Sequence, residues 1–229
     1  MQIIERSTGS EKIMILPRRA AAARGVYANY LSDSRLPWTG NTVPDDLKRA
    51  LSAWRQASNH DFEIEIDEIF CRNGFRHRRL NLQPAKARKQ GLDIAGEIDM
   101  LAADPSRRII WVVEAKNPQV PFDPSQLVHE VVDFHGVPDR LRSRIASRQA
   151  KSPEKSYVGK LLTKTDQIRA QIPTSLALLG LGDELFEGWR VEPIIVTPTV
   201  SIAAAVRNPG VTFITAADFP AFLLDPATQ

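Results

Sequence analysis

"GEIDMLAADPSRRIIWVVEAKN", residues 96–117, carries two apolar runs broken by charge: Asp99 lies inside the first, and Glu114 and Lys116 close the second. Between them Asp104-Pro105-Ser106-Arg107 is a turn sequence, because Asp bonds its own backbone two residues on and Pro presets φ. The stretch predicts a β-hairpin with strands over 94–103 and 108–115. With that turn Ala103 pairs with Arg108, Asp99 stands opposite Val112 and Glu97 opposite Glu114. Side chains alternate across a strand, so Glu97, Asp99, Ile110, Val112, Glu114 and Lys116 share one face; Ile98, Met100, Ile109, Trp111, Val113 and Ala115 share the other. Carboxylates converging beside one ammonium repel unless neutralised, and a hard divalent cation with oxygen ligands is the usual remedy.

Working outward, Leu47, Leu51, Trp54, Ala57, Phe62, Ile66, Ile69 and Phe70 recur at three- and four-residue steps. They predict one long helix, or two abutting near Asn59-His60, stopped at Gly74. Residues 75–82 alternate loosely as a strand. Downstream, Leu127, Val131 and Phe134, then Val158, Leu161, Leu162, Ile168 and Ile172, have helical spacing, and 193–196 and 211–214 are β-branched runs. Thr215 with Asp218 opens a short last helix through Phe222. Helix, three strands, helices, two strands and a helix make an α/β chain.

At 229 residues and 43% hydrophobic content the chain can bury a sizeable core. Pro37, Gly40 and Pro44 suggest a connector, which divides the chain into an appendage, 1–40, and a main domain, 41–229, with a basic helical insertion at about 138–188. Arg18-Arg19 lacks the apolar stretch of an export signal, and no window of eighteen apolar residues occurs, so a cytoplasmic protein without a membrane partner is expected. One cysteine, Cys71, excludes an internal disulfide and a thiolate zinc cluster. His129-Glu130 and His135 lack the spacing of a zinc-hydrolase helix, and neither a Walker-type loop nor a Ser or Cys nucleophile motif is present.

The ordered set "FEIEIDEIFCRNGF" (62–75), "GEIDML" (96–101) and "VVEAKN" (112–117) resembles the PD-(D/E)xK nucleases. In that family an acid on the second core strand is followed, after a hairpin, by an acid-x-lysine triplet on the third. The likeness covers about 45–130 and, more weakly, 190–225, and the resolvase-like and Mrr-like branches also open the next helix with a glutamine, here Gln126. It implies the restriction-endonuclease-like fold: an αβββαβ core whose central mixed sheet is flanked by helices. It also implies a Mg²⁺-dependent DNA endonuclease, with Mn²⁺ as a substitute, leaving a 5′-phosphate and a 3′-hydroxyl. Asp99, Glu114, the Ala115 carbonyl and Glu63 would hold the metal, Lys116 would orient the water or stabilise developing charge, and Gln126 would touch the phosphate or the water.

Plainer readings stand beside these. Glu114 and Lys116 also suit a same-face ion pair, Glu63 competes with Glu65, Asp67 and Glu68, Glu97 suits an outer acid, and Gln126 suits a helix surface. From Arg72 to Leu92 lie seven basic residues and no acid, and a flexible basic loop between the first two strands is well placed to meet a phosphate backbone, which makes Arg76, Arg78, Arg79, Lys86, Arg88 and Lys89 the candidate contacts. Nucleic acid, mainly DNA, is the expected partner, with a homodimer or larger complex as a further expectation because two strands must be cut. The alternatives are an inactive nucleic-acid-binding module and a structural subunit of a DNA-processing or defence complex.

Overall fold

The computed structural model describes residues 3–7, 10–14, 44–118, 124–137, 152–182, 186–206 and 210–224. The expected connector before Pro44 and residues 138–151 of the expected basic insertion lie outside them. The chain divides into two compact units, Met1–Ser58 and Asn59–Gln229. In the first, β1 (Ile3–Ser7) and β2 (Ser10–Met14) pair antiparallel from Ile3↔Met14 to Ser7↔Ser10.

The second unit is built on a five-stranded mixed sheet of order β3 (His77–Leu82), β4 (Ile98–Asp104), β5 (Ile109–Ala115), β6 (Arg190–Thr197) and β7 (Thr212–Thr215). The first three strands run antiparallel and the last two parallel to β5, so the chain is α/β as expected. Every residue of β4 and β5 is buried, as befits central strands covered on both faces.

One face is covered by the part of α1 (Asp45–Arg72) from residue 59 onward and by α6 (Phe219–Leu224). Phe62, Ile66, Ile69 and Phe70 of α1 and Phe219, Phe222 and Leu223 of α6 pack against Met100, Ala102, Ile109, Trp111, Val113 and Ala115. The helix runs unbroken through Asn59-His60 and stops at Gly74, whose φ of 82° suits glycine. Gly74 N–H donates to Cys71 O and Phe75 N–H to Phe70 O, both at 3.0 Å, and the Phe70 and Phe75 rings meet edge to face at 5.2 Å. This paired closure with its apolar clasp fixes where β3 begins.

The other face carries α3 (Pro124–His135), α4 (Tyr157–Ala170) and α5 (Ile172–Leu178). Phe134, Val158, Leu161, Ile168, Leu176 and Leu178 pack there with Leu101, Ala103, Ile110 and Val112. Thus the described part of the expected insertion, 152–182, supplies most of one layer of this unit. Its main helix starts at Ser156, whose hydroxyl accepts the Gly159 N–H at 3.0 Å.

Three expectations need correction. The hairpin register is Asp104↔Ile109 through Met100↔Val113, two positions from the expected one. Asp104 keeps its place in β4 because its carboxylate accepts from Ser106 N, Ser106 Oγ and Arg107 N, and Arg108 closes the loop at φ 53°. A slip of two leaves each side chain on its face but moves Glu114 from opposite Glu97 to level with Asp99. Second, Ile98 packs with Leu82 on the α4 side rather than with Met100. Asn81, at φ 50°, interrupts β3 where Asp99 interrupts β4, between the pairs Leu80↔Met100 and Leu82↔Ile98. Third, the expected flexible basic loop contains a short helix, α2 (Pro84–Arg88), closed by the Leu92 N–H to Ala87 O bond at 3.0 Å.

Candidate active site

Asp99 and Glu114 sit at the same end of neighbouring central strands, only 8% and 7% exposed. Beyond the last backbone pair of the hairpin, Asp99 Oδ2 accepts the Ala115 N–H at 2.9 Å, so a side chain continues the ladder. Lys116 follows β5 and is pinned there by its N–H bond to Val196 O at 2.9 Å. Its Nζ lies 2.8 Å from Glu114 Oε1 and 3.3 Å from Asp99 Oδ2, with the Tyr157 ring 5.4 Å away.

A second ammonium completes the group. Lys164 of α4, itself buried, places Nζ 2.6 Å from Glu114 Oε2 and 2.5 Å from the Glu97 carbonyl. Sequence reading missed it, although its signal was present: Lys164 falls on the inward stripe of α4 between Leu161 and Ile168, where a charge has to find a partner.

The electrostatics follow from crowding. Burial, then repulsion from Glu114, pushes the Asp99 carboxyl up to about 6 against the pull of Lys116 and Lys164, and Glu63 adds to the push. Burial would raise Glu114 as well, but Lys116 and Lys164 outweigh it and hold that carboxyl below its usual range. Lys116 is held above the ordinary lysine value because Glu114 and Asp99 together outweigh its burial. The resting pattern is therefore an ionised Glu114 between two ammoniums, beside an Asp99 that titrates near neutrality.

The structure sorts the acids of α1. Glu63 is half-buried, acts on Asp99 through its charge and stands 3.7 Å from His60. Asp67 takes Arg78 at 2.6 Å, Glu68 takes Arg72 at 3.7 Å, and Glu65 faces solvent. Glu97 turns its side chain outward to Gln83 while its carbonyl serves Lys164. Gln126 is half-buried in the first turn of α3. Of the basic residues, Arg78 is engaged by Asp67 and the Phe75 carbonyl, Arg79 reaches the Leu178 carbonyl at 3.2 Å and Arg88 reaches Asp93 at 3.6 Å. Arg76, Lys86 and Lys89 are exposed.

Among the described residues no group of three or more His, Cys, Asp or Glu side chains is arranged to hold a metal ion. Against the two ammoniums stands a donor set of two carboxylates, whose backbone contact is the Ala115 N–H. It suits a hard cation such as Mg²⁺ or Mn²⁺, which keeps several waters and needs only one or two carboxylates. Asn81 Oδ1, on the β3 residue between Leu80 and Leu82, which pair with Met100 and Ile98, is buried without a hydrogen-bond partner among the described residues. No helix among the described residues is long and apolar enough to cross a membrane. Comparison with family models, curated proteins and solved structures finds no match to this chain.

Proposed function

We propose that this chain is a divalent-metal-dependent endonuclease of the PD-(D/E)xK type, with the restriction-endonuclease-like fold, acting on DNA. The observation that supports this best is the placing of Asp99, Glu114 and Lys116 in one contact network on neighbouring strands, in the order that the family uses. Asp99, Glu114 and the Ala115 carbonyl would hold Mg²⁺ or Mn²⁺, with Glu63 approaching from α1. When bound, the cation supplies Lewis-acid polarisation of the phosphate and a more acidic water.

Lys116 has a defined part in this reading. Its raised affinity for the proton keeps it charged at neutral pH, so it acts as a fixed positive charge that orients the attacking water and stabilises the developing phosphorane charge rather than as a general base. Gln126 would meet the phosphate or that water. Arg76, Lys86 and Lys89 would contact the DNA backbone through charge alone. A homodimer or a larger complex would let both strands be cut.

One observation favours a second reading, a nucleic-acid-binding subunit without catalysis: both Glu114 oxygens are already taken by ammoniums. Incubation with supercoiled, linear and branched DNA in Mg²⁺ or Mn²⁺ separates the two. Cleavage by the native chain that disappears in Asp99→Ala and Lys116→Ala supports the nuclease; DNA binding with no cleavage in either metal supports the subunit.

A further inference from the structure

Lys164 does more than fill a gap in the core. It bridges the two acid-bearing strands, through Glu114 Oε2 on β5 and the carbonyl of Glu97 at the start of β4. Two neighbours on the same side, Gln167 in the helix and Gln171 at its C-cap, bind the segment that leads into β4. Gln167 Oε1 accepts the Ala95 N–H at 2.8 Å, and Gln171 pairs with both the N–H and the carbonyl of Asp93, at 2.9 and 2.8 Å. Helix α4 therefore stays docked on residues 93–97 through its glutamines, whatever Lys164 does at Glu114.

The charges of the quartet sum to zero, with Asp99 and Glu114 against Lys116 and Lys164. Lys116 holds the other Glu114 oxygen through its own 2.8 Å contact. Resting on the metal-dependent reading above, we infer that Lys164 is a built-in competitor of the divalent cation: it neutralises Glu114 in the metal-free protein and cedes the Oε2 position when a cation binds. Lys164 is thus a positioning residue that sets the affinity of the acid pair for metal. Because the glutamines hold the helix, the exchange needs only a side-chain movement.

The test is a calorimetric titration of Mn²⁺ into metal-free native protein, Lys164→Met and Lys164→Gln, each checked by its melting curve. Removing a positive charge a few ångströms from a cation, at an effective dielectric of about 20, raises affinity by about tenfold or more. Tighter binding in both variants, abolished by adding Glu114→Gln, supports the inference; equal, weaker or absent binding in the folded variants overturns it. The native chain gives a second reading free of folding effects, through acetylation of lysines followed by mass spectrometry. Lys164 is expected to be protected relative to the exposed Lys160 on the same helix, and to become reactive at saturating Mn²⁺; protection unchanged by Mn²⁺ overturns the inference. DNA cleavage enters neither readout. Tight Mn²⁺ binding without cleavage would sink the nuclease reading alone, and cleavage with unchanged affinity in the variants would sink the competitor alone.

Discussion

Asp99 Oδ2 accepts the backbone N–H of Ala115 at 2.9 Å, so the acid of one strand is held by the strand that carries the other acid. The separation of Asp99 and Glu114 is thereby set by sheet geometry and not by side-chain choice. The same contact draws Asp99 into a buried position next to Glu114, which is why its carboxyl is pushed up to about 6.

Asp99→Asn keeps an oxygen for the Ala115 N–H and removes the charge. An ordinary Asp begins at 3.8, so only well below that value is the carboxyl protonated in both folded and unfolded chains, where the charge costs nothing. Above pH 6 the folded state carries the whole penalty, about 3 kcal/mol, because each tenfold change in proton affinity is worth ~1.4 kcal/mol. Metal-free Asp99→Asn should therefore be more stable than the native chain at pH 7.5, and the difference should narrow as pH falls through 6 toward 3.8, read by urea unfolding across that range. Lower stability at pH 7.5 would mean that Lys116 and Lys164 over-compensate the charge.

Asp104 is the opposite case. Burial would raise its carboxyl, but hydrogen bonds from Ser106 and Arg107, with the Arg107 charge, hold it below the usual range. Arg107 in turn reaches the Leu223 and Leu224 carbonyls at the end of α6, so the turn carries a tertiary anchor. Asp104→Ala should cost about 1–3 kcal/mol at pH 7. A lowered carboxyl contributes stability that is present above its unfolded value and lost as pH falls, so the difference should shrink steadily in acid. Thermal unfolding of both chains between pH 7 and pH 3 checks this.

Lys86→Ala and Lys89→Ala should weaken DNA binding alike for all sequences, and each should lower the slope of log affinity against log salt by about one. Arg78→Ala should instead lower stability, since it breaks the 2.6 Å contact with Asp67 and the bond to Phe75 O, with little change in that slope. Filter binding across a salt series, beside melting curves, distinguishes these outcomes.

The hairpin, the helix stop at Gly74 and the order of elements were legible because each has a local cause: alternation, a left-handed glycine, a turn residue. The register was not, since Asp104 suits the loop as well as the last strand position and only its bonds to Ser106 and Arg107 decide. Parity survived the slip because two positions restore the same face. Ile98 was misplaced because the irregular step at Asn81 and Asp99 arises from pairing between strands. Lys164 stood in plain view on an apolar stripe, but its partner Glu114 is 50 residues away, and no local pattern joins them.

The most direct test of the metal-dependent active site is the rate of nicking of supercoiled plasmid by the native chain and by Asp99→Asn in Mg²⁺ and in Mn²⁺. Asp99→Asn keeps an oxygen for the Ala115 N–H, and its urea unfolding curve checks that it is folded. Native cleavage that requires the metal and falls at least about a hundredfold in the variant is the expected result; nicking that continues undiminished in Asp99→Asn, or that the native chain never performs in either metal, contradicts the assignment.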